Sequence, residues 1–433
     1  MRVLILTSST GGGHNMRASS FAHWMRRHPP AHGGGSAEQS DVQIHKCLEN
    51  THGFYSFGVA LYNWIQRTAP WMHHGYFNFL EFTAPCRSGH KILGASRFRA
   101  ILDHVRPHVI LSTHGSLNHG FFELAREHLG PDRVRCVIYC GELFGKYGFS
   151  RHWVNPDADL FLGAVPETLA MARSLGMPAE RTALGGFLLN PSFYEPPIPA
   201  EARAGFLREA LGLDPARFTL LLSTSEHGAH NHPALLESLY AARRWLDLDQ
   251  FQVIALCGRH PETLRRVRNW GYAHPALSLR ALPRTERMAL FMQAADAIVA
   301  RPGTGTTSEA IISACPLIFN GLGGVMPQEW ITVKFARRHR IADELHQPTD
   351  LPTVLARHLA TPEHLRGVRE RMIDVRPRAH PTDILRRVYE LGAPLLSHHH
   401  SAVAATPSAE ARKITREPRR KPNNLAEPRQ ILG

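Results

Sequence analysis

Ten short apolar runs, each separated from the next by loops and amphipathic stretches, dominate the sequence. They fall into two sets: "RVLILTSS", "VQIHKCL", "HVILSTHG", "RVRCVIYC" and "LFLGA", then "FTLLLSTS", "FQVIALCG", "LSLRAL", "AIVARPG" and "CPLIFNG". A run that is apolar almost throughout, without period-two alternation, reads as a strand buried on both faces, and helices between such strands make βαβ units on a parallel sheet. Because the pattern occurs twice in 433 residues, the expected fold class is α/β, with two Rossmann-like domains facing across a cleft. Prolines 196, 197 and 199 mark the linker. The expected division is residues 1–190, a linker at 191–205, and residues 206–395 including helices that follow the last strand near residue 345. A disordered basic tail is expected at 396–433, where large apolar residues are scarce.

With 43% hydrophobic and 20% charged residues the chain has enough apolar surface to fold, and nowhere do 18 apolar residues run together. Neither a spanning segment nor a secretion signal is read from it. The six cysteines are too scattered for a disulfide framework, and the 28 histidines show no regular ligand spacing. The expected home is therefore the cytoplasm, and no metal or other cofactor is expected. Residues 397–433 hold seven Lys/Arg against three Glu, +4 of the formal +13, which leaves +9 on the rest. Such a charge suits an anionic membrane surface, nucleic acid or a phosphorylated substrate. No nucleic-acid motif accompanies it, so no nucleic-acid partner is expected.

Three stretches carry chemistry. The first, "LILTSSTGGGHNMRASS", is a strand that breaks into Gly11, Gly12 and Gly13 and then opens a helix bearing His14 and Arg17. Such a junction brings unpaired N–H groups to the carboxyl edge of a sheet, though an ordinary strand-to-helix turn has the same outline. It lacks the third glycine of a dinucleotide fingerprint, which disfavours a nicotinamide site. The second stretch, "AIVARPGTGTTSEAIIS", ends a strand in Gly303, Thr304, Gly305 and Thr306 at the start of a helix. Backbone N–H groups and hydroxyls there make a diphosphate cradle that needs no metal. Glu309, one turn inside, suits the two hydroxyls of a ribose, and Gln328 with Glu329 suit sugar hydroxyls. The third stretch, residues 54–85, is dense in aromatics, Trp64 and Trp71 among them. It reads either as a pair of buried helices or as a surface that meets a membrane.

Together these motifs resemble glycosyltransferases with the GT-B fold: the monogalactosyldiacylglycerol synthases, the processive diacylglycerol glucosyltransferases and the lipid-II-forming N-acetylglucosaminyltransferase. The resemblance covers residues 1 to about 345 and rests on "GGGHNMRA", "PGTGTTSEA", "MPQE" and "CGRH". It implies an inverting transfer of a hexose from a UDP-sugar to the hydroxyl of a lipid acceptor, diacylglycerol in the nearest branches. It also implies a peripheral position on the inner face of the cell membrane. UDP would be held by the second domain, with Arg259 of "CGRH" or Arg17 adding positive charge. The acceptor would be held by the first domain, at Gly12, Gly13 and the aromatic segment. His14 would be the base, with Glu142 in "YCGELFGKYGFSRHW", near the place of a family aspartate, as the alternative. The chain departs from the family at "STSEHGAHNH", which keeps one glycine, Gly228, where a glycine-rich loop is usual. Two other classes stay open: a UDP-sugar epimerase, which needs no oily acceptor surface, and a nucleotide-sugar binder without catalysis.

Overall fold

The computed structural model describes residues 1–29, 41–68, 70–83, 92–223 and 231–403. The first set of strands comprises β1 (Arg2–Thr7), β2 (Asp41–Lys46), β3 (Val109–Ser112), β4 (Arg135–Cys140), β5 (Leu160–Gly163) and β6 (Thr182–Leu184). They form one sheet in the order β2-β1-β3-β4-β5-β6, every neighbouring pair parallel. The second set comprises β7 (Phe218–Ser223), β8 (Phe251–Leu256), β9 (Leu279–Leu282), β10 (Ala297–Ala300), β11 (Leu317–Asn320) and β12 (Ala342–Leu345). Its order is β12-β11-β10-β7-β8-β9, again wholly parallel. All ten expected strands are present. The two that the sequence concealed, β6 and β12, are edge strands of three and four residues with little apolar content.

This strand order dictates where a ligand sits. In an open parallel sheet the crevice forms where two adjacent strands send their chains to opposite faces, at the strands' carboxyl ends. In the first sheet that point lies between β1 and β3, and in the second between β7 and β10. The turn Ser8–Gly12 leaves β1, and the turn Arg301–Gly303 leaves β10. Both glycine motifs therefore stand at switch points.

Each sheet is covered on both faces by apolar clusters. One cluster spans the two halves, joining Leu143, Val165 and Phe187 of the first to Phe319 and Phe335 of the second. The linker is part of the packing, with Phe193 buried in that cluster, and just before it the indole of Trp24 donates to the Leu189 carbonyl at 2.7 Å.

The ending differs from the expectation in two ways. The last helix, Pro381–Val403, buries Ile384, Leu385 and Val388 against Val3, Ile5, Val109 and Leu111 of the first sheet, so it crosses back from the second half to the first. Its amphipathic pattern shows a buried face but not which sheet receives it. The backbone stays helical to Val403, past the expected start of the tail, and residues 404–433 lie outside the described residues. No helix among the described residues is long and apolar enough to cross a membrane.

Candidate active site

The turn after β1 turns sharply through Gly11, whose φ of +66° is a left-handed conformation that a side chain would strain. Its N–H donates to Asn63 Oδ1 at 3.1 Å, and Asn63 Nδ2 donates to the Ser9 carbonyl at 2.9 Å. A side chain on the aromatic helix Gly53–Thr68 thus clamps the glycine turn from both ends. Gly12 caps the helix Gly13–Arg27, and His14 stands on its first turn.

His14 Nδ1 lies 2.7 Å from the carbonyl of Thr113, just past the end of β3. A carbonyl accepts only, so this bond assigns the ring proton to Nδ1 and leaves a lone pair on Nε2. Burial and the nearby Arg17 guanidinium lower the His14 pKa to about 4, with the Thr113 carbonyl opposing them. The imidazole is neutral at pH 7. His114, from the turn after β3, lies against it with ring centroids 4.4 Å apart, and its own ring accepts from the Ser116 N–H at 3.2 Å and meets Thr10 Oγ1 at 2.7 Å.

Glu142 follows β4 and is buried. Burial raises its pKa to about 7, against the pull of Arg17 and of a hydrogen bond from Trp153, and Oε2 has no partner among the described residues. Arg17 is itself buried, donating to the Gly141 carbonyl at 3.1 Å and across the cleft to Thr304 Oγ1 at 2.6 Å. A Cβ on residue 141 would stand 2.2 Å from the guanidinium carbon, which explains why glycine precedes Glu142.

The second half presents the helix Thr304–Ser313, capped by Gly303, with its first turn facing the cleft. Glu309 lines the same cleft, and burial raises its pKa to about 8 despite Arg17. Gln328 Nε2 donates to the Tyr62 hydroxyl at 2.6 Å, a second bond between the halves. With Arg17–Thr304, and with His74 Nε2 at 3.0 Å from the Val325 carbonyl, these contacts hold the cleft closed.

Two expected site residues take other roles. Glu329 is buried with both oxygens occupied: Arg301 meets them at 3.1 and 2.5 Å, and the Met326 N–H donates to Oε2 at 2.9 Å. A carboxylate this deep requires compensation. The pair braces the loop before residue 327, with Arg301 also donating to the carbonyls of Leu322 and Gly324, and so Glu329, although it lines the cleft, commits three of its acceptor positions to the protein itself. Arg259 is exposed and does not line the cleft, although Gly258 does. Arg284 does line the cleft, together with Gly258. The loop 224–230, which holds most of the "STSEHGAHNH" departure, lies outside the described residues.

Two cavities open from this centre. One, of about 330 Å³, runs between the glycine turn and the helix Thr304–Ser313 and is lined by Gly12, Gly13, Arg17, Gly303–Thr306, Glu309 and Gln328. The other, of about 500 Å³, runs into the first half between the aromatic helices Gly53–Thr68 and His73–Thr83, past Val59, Tyr76, Phe77, Leu80 and Trp153. Thr10, His14, Tyr62, Glu142 and Gln328 line both. Among the described residues, the buried acceptor atoms Glu142 Oε2, Gln66 Oε1 in the first cavity and His73 Nε2 in the second find no donor. Gln66, His73 and His114 were not singled out from the sequence, although His114 sits just past a strand's carboxyl end, where a search would look.

The aromatic helices bury one side and expose the other. Val59 and Ile65 are buried, whereas Trp64 is 51% exposed, Trp71 66% and Phe82 81%, so the tryptophans are not core. Elsewhere, Asp343, His358 and His364 bring their ligand atoms within 4.8 Å of one another. The Arg357 guanidinium bonds to the same Asp343 carboxylate, and His358 Nε2 lies 2.7 Å from it, so this carboxylate already has cationic and hydrogen-bonding partners.

No family model matches the chain. It is similar to the probable monogalactosyldiacylglycerol synthase 2 of rice, Oryza sativa subsp. indica, at 25% identity over 339 residues, which cover 73% of this chain and 65% of the rice protein. It is also similar to the processive diacylglycerol beta-glucosyltransferase of Staphylococcus carnosus, at 21% identity over 318 residues, covering 73% and 75%. Among solved structures, MurG of Acinetobacter baumannii superposes with a TM-score of 0.54 at 16% identity, covering 90% of this chain and 98% of that one. The spinosyn rhamnosyltransferase SpnG, complexed with thymidine diphosphate, superposes with a TM-score of 0.51 at 12% identity, covering 90% and 100%. The fold is that of the GT-B glycosyltransferases.

Proposed function

We propose that this protein transfers a hexose from a UDP-sugar to the hydroxyl of a lipid acceptor, diacylglycerol in the first instance, with inversion at the anomeric carbon. The observation that carries the reading is the meeting of two unlike cavities at His14 and Glu142: one floored by a helix N-terminus, the other walled by aromatic and aliphatic side chains. An epimerase or a simple nucleotide-sugar binder has no use for the second cavity. The relatives' names point the same way.

The diphosphate of the donor lies at the first turn of the helix Thr304–Ser313, where free N–H groups and the helix dipole meet its charge. Arg17, already bonded to Thr304, adds a full positive charge as the departing diphosphate becomes more anionic. Glu309 accepts from the ribose. The acceptor chains occupy the aromatic-lined cavity and bring their hydroxyl to the shared wall.

As the acceptor oxygen bonds to the anomeric carbon, the bond from that carbon to the diphosphate breaks and the hydroxyl proton passes to the protein. Glu142 is the better proton acceptor, because a carboxyl with a pKa near 7 is half ionised at pH 7 and basic enough to take the proton, whereas His14, with a pKa of about 4, is unprotonated but a weaker base. This reverses the order expected from the sequence. His14 orients the hydroxyl through its Nε2 lone pair. Arg17 with the helix N-terminus supplies the charge stabilisation in this reading.

The exposed aromatic face carries the protein to its acceptor. Phe54 is both exposed and part of the acceptor-cavity lining, so the cavity reaches the surface at that face. Aromatic side chains and a basic body suit an anionic lipid surface. The test is UDP release from UDP-glucose and UDP-galactose with and without diacylglycerol vesicles. The reading requires release that depends on lipid and yields glycolipid; conversion of one UDP-sugar to another without lipid refutes it in favour of an epimerase.

A further inference from the structure

A third cavity, of about 720 Å³, lies at the junction of the two halves, where both chain crossings pass the far end of the helix Thr304–Ser313. Its walls come from the linker at Tyr194 and Pro197, from Ile312–Ala314 at the carboxyl end of that helix, and from the return crossing at Arg376–His380. A ten-residue helix is about 15 Å long, so this cavity is distinct from the cleft at the helix's other end.

The cavity is unusually cationic for its two acids. Arg203, Arg369, Arg376 and Arg378 line it, against Asp296 and Glu195. Asp296 is shared by two guanidiniums, Arg203 at 3.1 Å and Arg369 at 3.4 Å, and Glu195 pairs outward with Arg27 at 3.4 Å. Arg376 pairs with no carboxylate among the described residues: its Nε and Nη2 donate to the carbonyls of Ile311 and Ile312 at 3.1 and 2.7 Å. Burial pulls its pKa down, with the neighbouring Tyr194 opposing the shift. Arg378 is exposed and makes no hydrogen bond or ion pair among the described residues. Ser313 Oγ, in the same wall, is buried without a partner among the described residues.

We infer that this cavity is a binding site for a small phosphate-bearing anion, held by Arg376, Arg378 and the Ser313 hydroxyl. Guanidinium groups and a hydroxyl are the donors that a phosphate's several acceptor oxygens take. The anion joins the return crossing to the end of the helix whose first turn faces the cleft, and so ties the junction to the donor side.

Titration calorimetry of the full chain with inorganic phosphate tests this independently of the transferase reading. Three variants accompany the wild type: R378Q, at an exposed side chain that folding does not need; S313A, a small change in the wall; and R17Q, in the cleft. The expected result is a site whose affinity falls about tenfold in R378Q and S313A, the scale of one lost charge-assisted hydrogen bond, and is unchanged in R17Q. Absence of binding to wild type overturns the inference, and so does binding that is lost in R17Q but kept in R378Q. Circular dichroism melts on the same samples confirm that the variants are folded.

Discussion

Replacing Glu142 with glutamine separates chemistry from stability at one atom. The glutamine keeps the shape and still accepts from Trp153, but it carries no charge. Burial raises the folded-state pKa of Glu142 from 4.5 to about 7. Between those pH values the folded protein holds a proton that the unfolded chain has released, so stability falls as pH rises from about 4.5 and levels off above about 7. At ~1.36 kcal/mol per unit, the ionised carboxylate costs the fold about 3 kcal/mol at pH 8 and almost nothing at pH 4. E142Q is therefore expected to be more stable than wild type at pH 8, by up to about 3 kcal/mol, and nearly equal to it at pH 4. Its turnover should fall by about 10² to 10⁴, the loss expected when a general base is removed. Wild-type kcat/KM should rise through about pH 7 as Glu142 ionises, and the residual activity of E142Q should lack that rise. The assays are urea unfolding at the two pH values and UDP release from pH 5 to 9. A wild-type profile that is flat above pH 5, with an E142Q variant that still turns over, refutes the assignment and passes the proton to His14, which has already lost its proton and is neutral above that pH.

Glu309→Ala should weaken UDP binding at pH 7 by about 0.5 to 1.5 kcal/mol, the scale of a hydrogen bond between neutral groups, because burial keeps this carboxyl mostly protonated there, and calorimetry showing unchanged affinity in a folded variant removes it from the ribose. Replacing Trp64 and Trp71 together with serine should leave the melting curve in place, because both are exposed, while lowering binding to anionic vesicles in high salt, where the charge contribution is screened. Unchanged sedimentation with vesicles would end the case for this face as the anchor. Arg301→Met should destabilise the protein by about 3 to 5 kcal/mol, since Glu329 is left buried without its cation, and denaturant unfolding reads it directly; the double variant R301M/E329L should recover much of the loss.

Strands, glycine turns and the aromatic helices were legible because each is written within about ten residues. Apolar runs, a strand-ending glycine and a helix start are local facts of backbone and side chain, and they placed Gly11–His14 and Gly303–Glu309 correctly at sheet edges. What those residues meet is not local. The order of the strands sets Thr113 beside His14, and closure of the two halves sets Thr304 on Arg17 and Tyr62 on Gln328, over separations of 99, 287 and 266 residues. Glu329 and Arg259 show the same divide from the other side. Their residue types suit a sugar and a diphosphate, but Arg301 reaches one carboxylate first, and the exposed side of the turn after β8 takes the other residue away from the cleft. The last helix carries an amphipathic face that fits either sheet in sequence terms, and only the crossing after Asp374 delivers it to the first. Local chemistry determined what each segment is. Which segments share a buried wall, and therefore which pKa values move and which acceptors await a donor, was decided by the tertiary structure, because burial and electrostatic coupling act between groups that only packing brings together.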